Sequence, residues 1–212
     1  MTIISSHYYD CDIFSQARSL APEIPLSVSA AYAYQGSLGK TSCLCYLLNA
    51  FPKILDVNFS DNHSGNSAFL GAVSGNHLFC VRYLMKIQSV DINFINPRTK
   101  MTAIQIASRK GSLECLKDLV IASPETINCV NCLERTAFMH AAEEGQLDCL
   151  KFLAQVPGID WFYKGKKSGI SALFYSIRHR DCFEFLLTLP GMTSHALSTT
   201  NMTVFMYAAS MG

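Results

Sequence analysis

Four stretches of the chain carry apolar residues at the same relative places: "NSAFLGAVSGNHLFCVRYLM", "MTAIQIASRKGSLECLKDLV", "RTAFMHAAEEGQLDCLKFLA" and "ISALFYSIRHRDCFEFLL". In each, a short run rich in small residues is followed by apolar positions at three-and-four spacing, as in Leu147, Leu150 and Leu153-Ala154 with Asp148 and Lys151 turned outward. That spacing predicts two helices per stretch. Ala68, Ala103, Ala137 and Ala172 fall 35, 34 and 35 residues apart, and Cys80, Cys115, Cys149 and Cys182 fall 35, 34 and 33 apart. Cys43 precedes Cys80 by 37, so five cysteines share one column. An extended dipeptide recurs in register as Val57-Asn58, Ile92-Asn93, Ile127-Asn128 and Ile159-Asp160. Units of 33 to 37 residues built this way cannot bury their apolar faces alone and must stack, which predicts an all-α solenoid.

The punctuation agrees. Each unit opens with Ser67, Thr102, Thr136, Ser171 or Thr203, whose hydroxyl can satisfy orphan amides at a helix start. Gly111, Gly145 and Gly212 are placed to end the first helix, with Asn76 in that role in the second unit. In the fifth unit Arg180 stands for the glycine and two residues are missing before Asp181, which predicts a tighter or strained connection. The first unit, "IPLSVSAAYAYQGSLGKTSCLCYLLNAFP", keeps Pro25-Leu26 and is expected to have a longer first helix and an expanded connection, as an N-terminal cap. Residues 1–24 do not repeat and form a capping segment, with "DCDIFSQARSLAPE" able to make a short helix. The repeats then divide as 25–60, 61–96, 97–130, 131–165, 166–198 and a partial unit 199–212, whose apolar Phe205, Met206 and Tyr207 predict a face that pairs with something.

"RTAFMHAAEEGQLDCLKFL", preceded by "INCVNCLE", resembles the ankyrin repeat pattern of a Thr-Pro-Leu-like opening, Ala-Ala, Gly-His, a paired-leucine helix and a Val-Asn turn. The resemblance spans roughly residues 25 to 212. It implies stacked helix-turn-helix units with projecting hairpin-like turns, and a protein-protein interaction scaffold without catalysis or cofactor. It also implies that the cysteine column, where the family carries valine or isoleucine, is packing. Asn58, Asn93 and Asn128 then occupy the asparagine column that hydroxylases modify in some members. The "LDCLKFL" wording looks like arrays from intracellular bacteria, giant viruses and protists, which implies the targeting arm of a secreted effector. The alternative is the recognition part of a larger enzyme.

Composition changes this picture little. Half of the 212 residues are apolar and 16% are charged, as stacking units require, and the net charge of +1 gives no bulk attraction to nucleic acid or membrane. No apolar run approaches the roughly 20 residues of a membrane span, and "MTIISSHYYDCD" is not a signal peptide, so a soluble cytoplasmic chain is expected. Nine cysteines, an odd number without a secretory address, read as reduced thiols.

Candidate chemistry is sparse. "GSLGKT" (Gly36 to Thr41) has Tyr34 where a phosphate loop needs glycine and follows a helix, so it reads as an inter-helix loop. "CVNC", Cys129 to Cys132, has the spacing of a zinc half-site or redox pair, but no second pair matches it, and no metal is expected. The six histidines do not cluster; His140 is expected at a partly exposed aromatic-like place in the column of Tyr175 and Tyr207.

Function is expected on the concave side and the projecting turns. Arg109-Lys110, Glu143-Glu144 and Arg178-His179 end successive first helices, and the alternation of sign supplies specificity. The turns "FSDNHSGN", "FINPRTK" and "WFYKGKKSG" are long and individual. In the last, Trp161 shares a packing column with Phe59 and Phe94, whereas Tyr163, Lys164, Lys166 and Lys167 form a contact surface for an acidic partner protein. A small-molecule ligand is not expected, and Glu143-Glu144 interrupt the basic stripe that nucleic acid would need.

Overall fold

In the computed structural model of the chain, residues 38–39, 41–50, 55–192 and 203–211 are described. Among them the helices are α1 (Thr41–Ala50), α2 (Ala68–Ser74), α3 (Leu78–Leu84), α4 (Ala103–Lys110), α5 (Leu113–Ala122), α6 (Ala137–Glu143), α7 (Leu147–Ala154), α8 (Ala172–Tyr175), α9 (Arg180–Thr188) and α10 (Val204–Met211). Short 3-10 turns, Pro124–Thr126 and Ser176–Arg178, follow α5 and α8. The helices form two layers: α2, α4, α6, α8 and α10 pack in succession, and α1, α3, α5, α7 and α9 do the same beside them. The periodicity-based reading of an all-α solenoid holds. The expected capping segment 1–24 and the helix expected to open the first unit lie outside the described residues.

Caps explain where the first-layer helices begin. The hydroxyls of Ser67, Thr102, Thr136 and Thr203 accept hydrogen bonds from the amides of Leu70, Gln105, Met139 and Met206 at 3.4, 3.4, 3.3 and 3.1 Å. Gln105 completes a capping box by accepting from the Thr102 amide at 3.0 Å. Ser171 makes no cap bond, and the helix it opens, α8, spans only four residues.

The helix-ending column is left-handed in each of the first four units: Gly39 (φ 69°), Asn76 (55°), Gly111 (69°) and Gly145 (69°). The carbonyl of each accepts the amide two residues on, from Thr41, Leu78, Leu113 and Leu147. Glycine is required here for a second reason: a Cβ on Gly39, Gly111 or Gly145 would run into the side chain of His77, Gln146 or His179 in the next unit. Asn76, which does have a side chain, is followed in the next unit by the small Ser112. Gly39 stands four residues before Cys43, as Gly111 does before Cys115, so from Gly39 onward the first unit keeps the spacing of the others; the residues before Leu38, on which the expected expansion bears, lie outside the described residues. Of "GSLGKT" only Leu38, Gly39 and Thr41 are among the described residues: the first two lie in a turn and the third begins α1.

The fifth unit departs from its reading. Arg180 does not replace the glycine; it is the first residue of α9, with His179 at the cap place held elsewhere by His77, Ser112 and Gln146. The two missing residues are absorbed by winding Ser176–Arg178 as a 3-10 turn, and no residue of that connection takes a positive φ. The connection is tight without being strained.

The core runs the length of the stack through Leu44, Phe69, Ile104, Leu116, Phe138 and Phe174. Cys80, Cys115, Cys149 and Cys182 are buried in it and Cys43 is half-buried. Burial pushes all four buried thiols up, Cys149 to about 11. They are un-ionised packing groups at neutral pH.

Candidate functional site

Between the helical pairs the chain projects as four tight turns. Each closes with two backbone bonds: Asp61 N to Asn66 O and Gly65 N to Asp61 O in the first, then the same exchange at Asn96, Met101 and Lys100, at Asn131, Arg135 and Glu134, and at Gly165, Ile170 and Gly169. Each has one left-handed residue just before its end: Gly65 (φ 73°), Lys100 (56°), Glu134 (57°) and Gly169 (64°). Asp61, Asn96 and Asn131 also fold their side chains over the turn, each Oδ1 accepting two backbone amides further along.

The turns are laced to one another. Asn96 Nδ2 donates to Ser64 O at 3.1 Å and Asn66 Oδ1 at 2.8 Å, and Arg98 Nη1 to Asn62 O at 3.1 Å. Cys132 N donates to Thr99 O at 3.3 Å, and Lys167 N to Glu134 Oε2 at 2.9 Å. At the base of the turns Asn58 bridges Ser89 O and Asp91 N, and Asn128 bridges Gly158 O and Asp160 N. Asn93 Nδ2 donates to Glu125 Oε1 at 2.7 Å. The asparagine column therefore clamps unit to unit. Side chains carried on turns held at both tip and base lose little freedom on meeting a partner.

On the first-layer helices, Arg135 enters from the third turn and bonds Glu143 Oε2 through Nη1 at 2.8 Å, its guanidinium 4.7 Å above the Tyr175 ring. His140 is 2% exposed, a correction to its expected partial exposure. Its Nε2 lies 3.0 Å from Asn131 Nδ2. Because Asn131 Oδ1 already accepts from Leu133 and Arg135, the amide nitrogen must face the ring and donate to it. The ring proton then sits on Nδ1, 3.7 Å from Glu143 Oε2. Burial first, then the nearby Arg135 and Arg109, hold His140 down to about 4. It is a neutral strut between turn and helix.

The expected contact residues are distributed as follows. Arg109 and Lys110 end α4, Glu143 ends α6 with Glu144 at its cap, and Arg178 ends the 3-10 turn after α8. Lys110, Glu144 and Arg178 are exposed, whereas Arg109 and Glu143 are half-buried. His179 is half-buried, its Nε2 donating to Glu143 O at 2.9 Å. Lys166 and Lys167 are exposed at the fourth tip, Lys164 is half-buried, and Tyr163 is half-buried against the core. Trp161 also packs there, edge-on to Phe162 at 5.8 Å between centroids. The pairing of Arg135 with Tyr175 and Glu143 was missed. A readable signal existed: Arg135 immediately precedes its cap residue, a place held by Asn66, Met101 and Ile170 in the other units.

The charge is unevenly divided. The four turns, each taken with the residue before its tip (60–66, 95–101, 130–135 and 164–170), hold six bases (Arg98, Lys100, Arg135, Lys164, Lys166, Lys167) and two acids (Asp61, Glu134). That is net +4 on a chain of net +1, leaving −3 on the rest. Among the described residues no three His, Cys, Asp or Glu side chains gather as metal ligands do, and no helix is long and apolar enough to cross a membrane. Cys129 is half-buried, with its carbonyl accepting from Gln105 Nε2 at 2.6 Å, and Cys132 is exposed.

A family model described as ankyrin repeats (3 copies) matches residues 30–126 and again residues 111–196. No curated protein matches the sequence.

Proposed function

The chain belongs to the ankyrin repeat family, whose members are generally protein-protein interaction modules and typically non-catalytic, and on that premise we propose that it holds an acidic partner protein against its basic turn tips and concave helix face. The observation that carries this is the placement of net +4 on four turns hydrogen-bonded to one another. Fixed like charges on one ridge raise the encounter rate with acidic surfaces and reject basic ones. Lys166 and Lys167 at the fourth tip and Arg98 and Lys100 at the second are the foremost contacts. Arg109, Lys110 and Arg178 extend the basic field along the helix ends, and Glu144 supplies discrimination. Lys164 and Tyr163 stand at the inner edge of this surface. Glu143 is engaged by Arg135 and His179 by the Glu143 carbonyl, so both act by shaping the groove.

The test is binding of a glutamate-rich synthetic peptide across a salt series. Lys166→Glu with Lys167→Glu is expected to weaken it about tenfold or more at low salt, while Lys117→Glu on α5 leaves it unchanged. Affinity insensitive to both salt and the double reversal would end the reading.

A further inference from the structure

The ridge that carries these bases also leaves apolar side chains in water. Ile95 and Val130 hold one place in successive turns, each immediately before the asparagine that opens the tip, and are 51% and 40% exposed. Leu133, at the third tip, is 60% exposed. One exposed leucine needs no explanation, but three aliphatic side chains on two adjacent, mutually bonded turns make a patch. Its borders are charged: Arg98 and Lys100 share the second turn with Ile95, and Lys164 takes the place of Ile95 and Val130 in the fourth.

We infer that the occupant of this ridge is an acidic protein segment that also carries bulky apolar side chains, seated on Ile95, Val130 and Leu133 while its carboxylates meet Arg98, Lys100, Lys166 and Lys167. This rests on the acidic-partner reading and adds to it the chemistry that selects among acidic partners. Charge alone attracts any polyanion; an apolar seat between the charges requires a chain with matching side chains. Packed helices stand roughly 8–10 Å apart, which sets the step between turns. Three residues of an extended polyproline-II chain rise about 9 Å, so such a segment crossing the turns delivers every third side chain to the next one. A lipid surface fits less well. Trp161, Phe162 and Tyr163, the aromatic groups beside the lysines, are half-buried, with Trp161 and Tyr163 packed against the core rather than offered outward.

The experiment measures binding of three labelled peptides to the whole chain: glutamate-rich with leucine at every third place, the same with serine for leucine, and the same leucines with lysine for glutamate. The leucine-glutamate peptide is expected to bind about tenfold more tightly than its serine counterpart. Leu133→Ser should erase that advantage without changing the serine peptide's affinity. Ile95→Ser carries the comparison should Leu133→Ser lower the melting temperature. Equal affinity of both acidic peptides, each weakened by Lys166→Glu with Lys167→Glu, overturns the inference and leaves the acidic-partner reading standing. A leucine advantage untouched by either serine variant places the apolar contact elsewhere and also overturns it. Failure of both acidic peptides to bind, or preference for the lysine peptide, overturns both. Tighter, Leu133-dependent binding to phosphatidylserine vesicles than to the leucine-glutamate peptide assigns the ridge to a membrane and overturns it as well.

Discussion

At Gly145 two demands meet on one residue: a left-handed backbone at φ 69° and the ring of His179 where a Cβ would be. Gly158 makes only the first, with φ 81° and nothing within 4 Å of its would-be Cβ. Gly145→Ala should therefore cost more stability than Gly158→Ala, about 2 kcal/mol or more against about 1 kcal/mol, as measured by urea unfolding. Equal costs would mean that the neighbouring ring simply moves aside. The cysteine column makes a second statement at this scale. In the native chain iodoacetamide should label exposed Cys132 first among the described cysteines, while Cys80, Cys115, Cys149 and Cys182 react slower by a factor on the order of a hundred, since they are enclosed and un-ionised.

The helical hairpin and its turn are joined by His140, and that junction has a pH signature. The groups facing the ring are Asn131 from the turn, Glu143 on α6, and the guanidinium groups of Arg135 and Arg109. Folding lowers the imidazole from its ordinary 6.5 to about 4, so between these values the unfolded chain binds more protons than the folded one. Stability is then lost as pH falls from about 7 through this window and is flat below it for this group, with a total on the order of 3 kcal/mol. His140→Gln can still accept from Asn131 and donate toward Glu143 without titrating. Urea midpoints measured from pH 7 to 4 should fall less steeply for this variant than for the native chain; parallel curves would remove His140 from the account.

At the scale of the stack, the main helix contacts among the described residues join each unit to its neighbours, and protection should follow how each helix is covered. The central helices α4 and α6 are covered on both sides by α2 and α8, and their amides are expected to exchange with deuterium most slowly. Those of α8, four residues long and without a side-chain cap bond, should exchange faster. Uniform protection would indicate one cooperative block. The lacing of the turns belongs to this scale too, since Asn96, Arg98 and Lys167 each bond to the preceding turn. The ridge therefore meets a partner as one preorganised edge.

Much of this was legible beforehand because stacking identical supersecondary units forces one chemistry to recur at one interval. The alanine and cysteine columns, the capping hydroxyls and the asparagine clamp repeat in the chain because they repeat in space. The misreadings lie where a residue's role depends on a neighbour distant in sequence. His140 looked half-exposed because Asn131 and Arg135 fold over it from a turn, and Arg180 looked like the lost glycine because 3-10 winding moved the register by the missing residues. By itself the sequence determined the helix pairs, their order and their packing faces, since hydrophobic period and caps act within a single unit. Only the tertiary structure decided which charges and apolar side chains share the ridge, because that depends on how one turn is hydrogen-bonded onto the next.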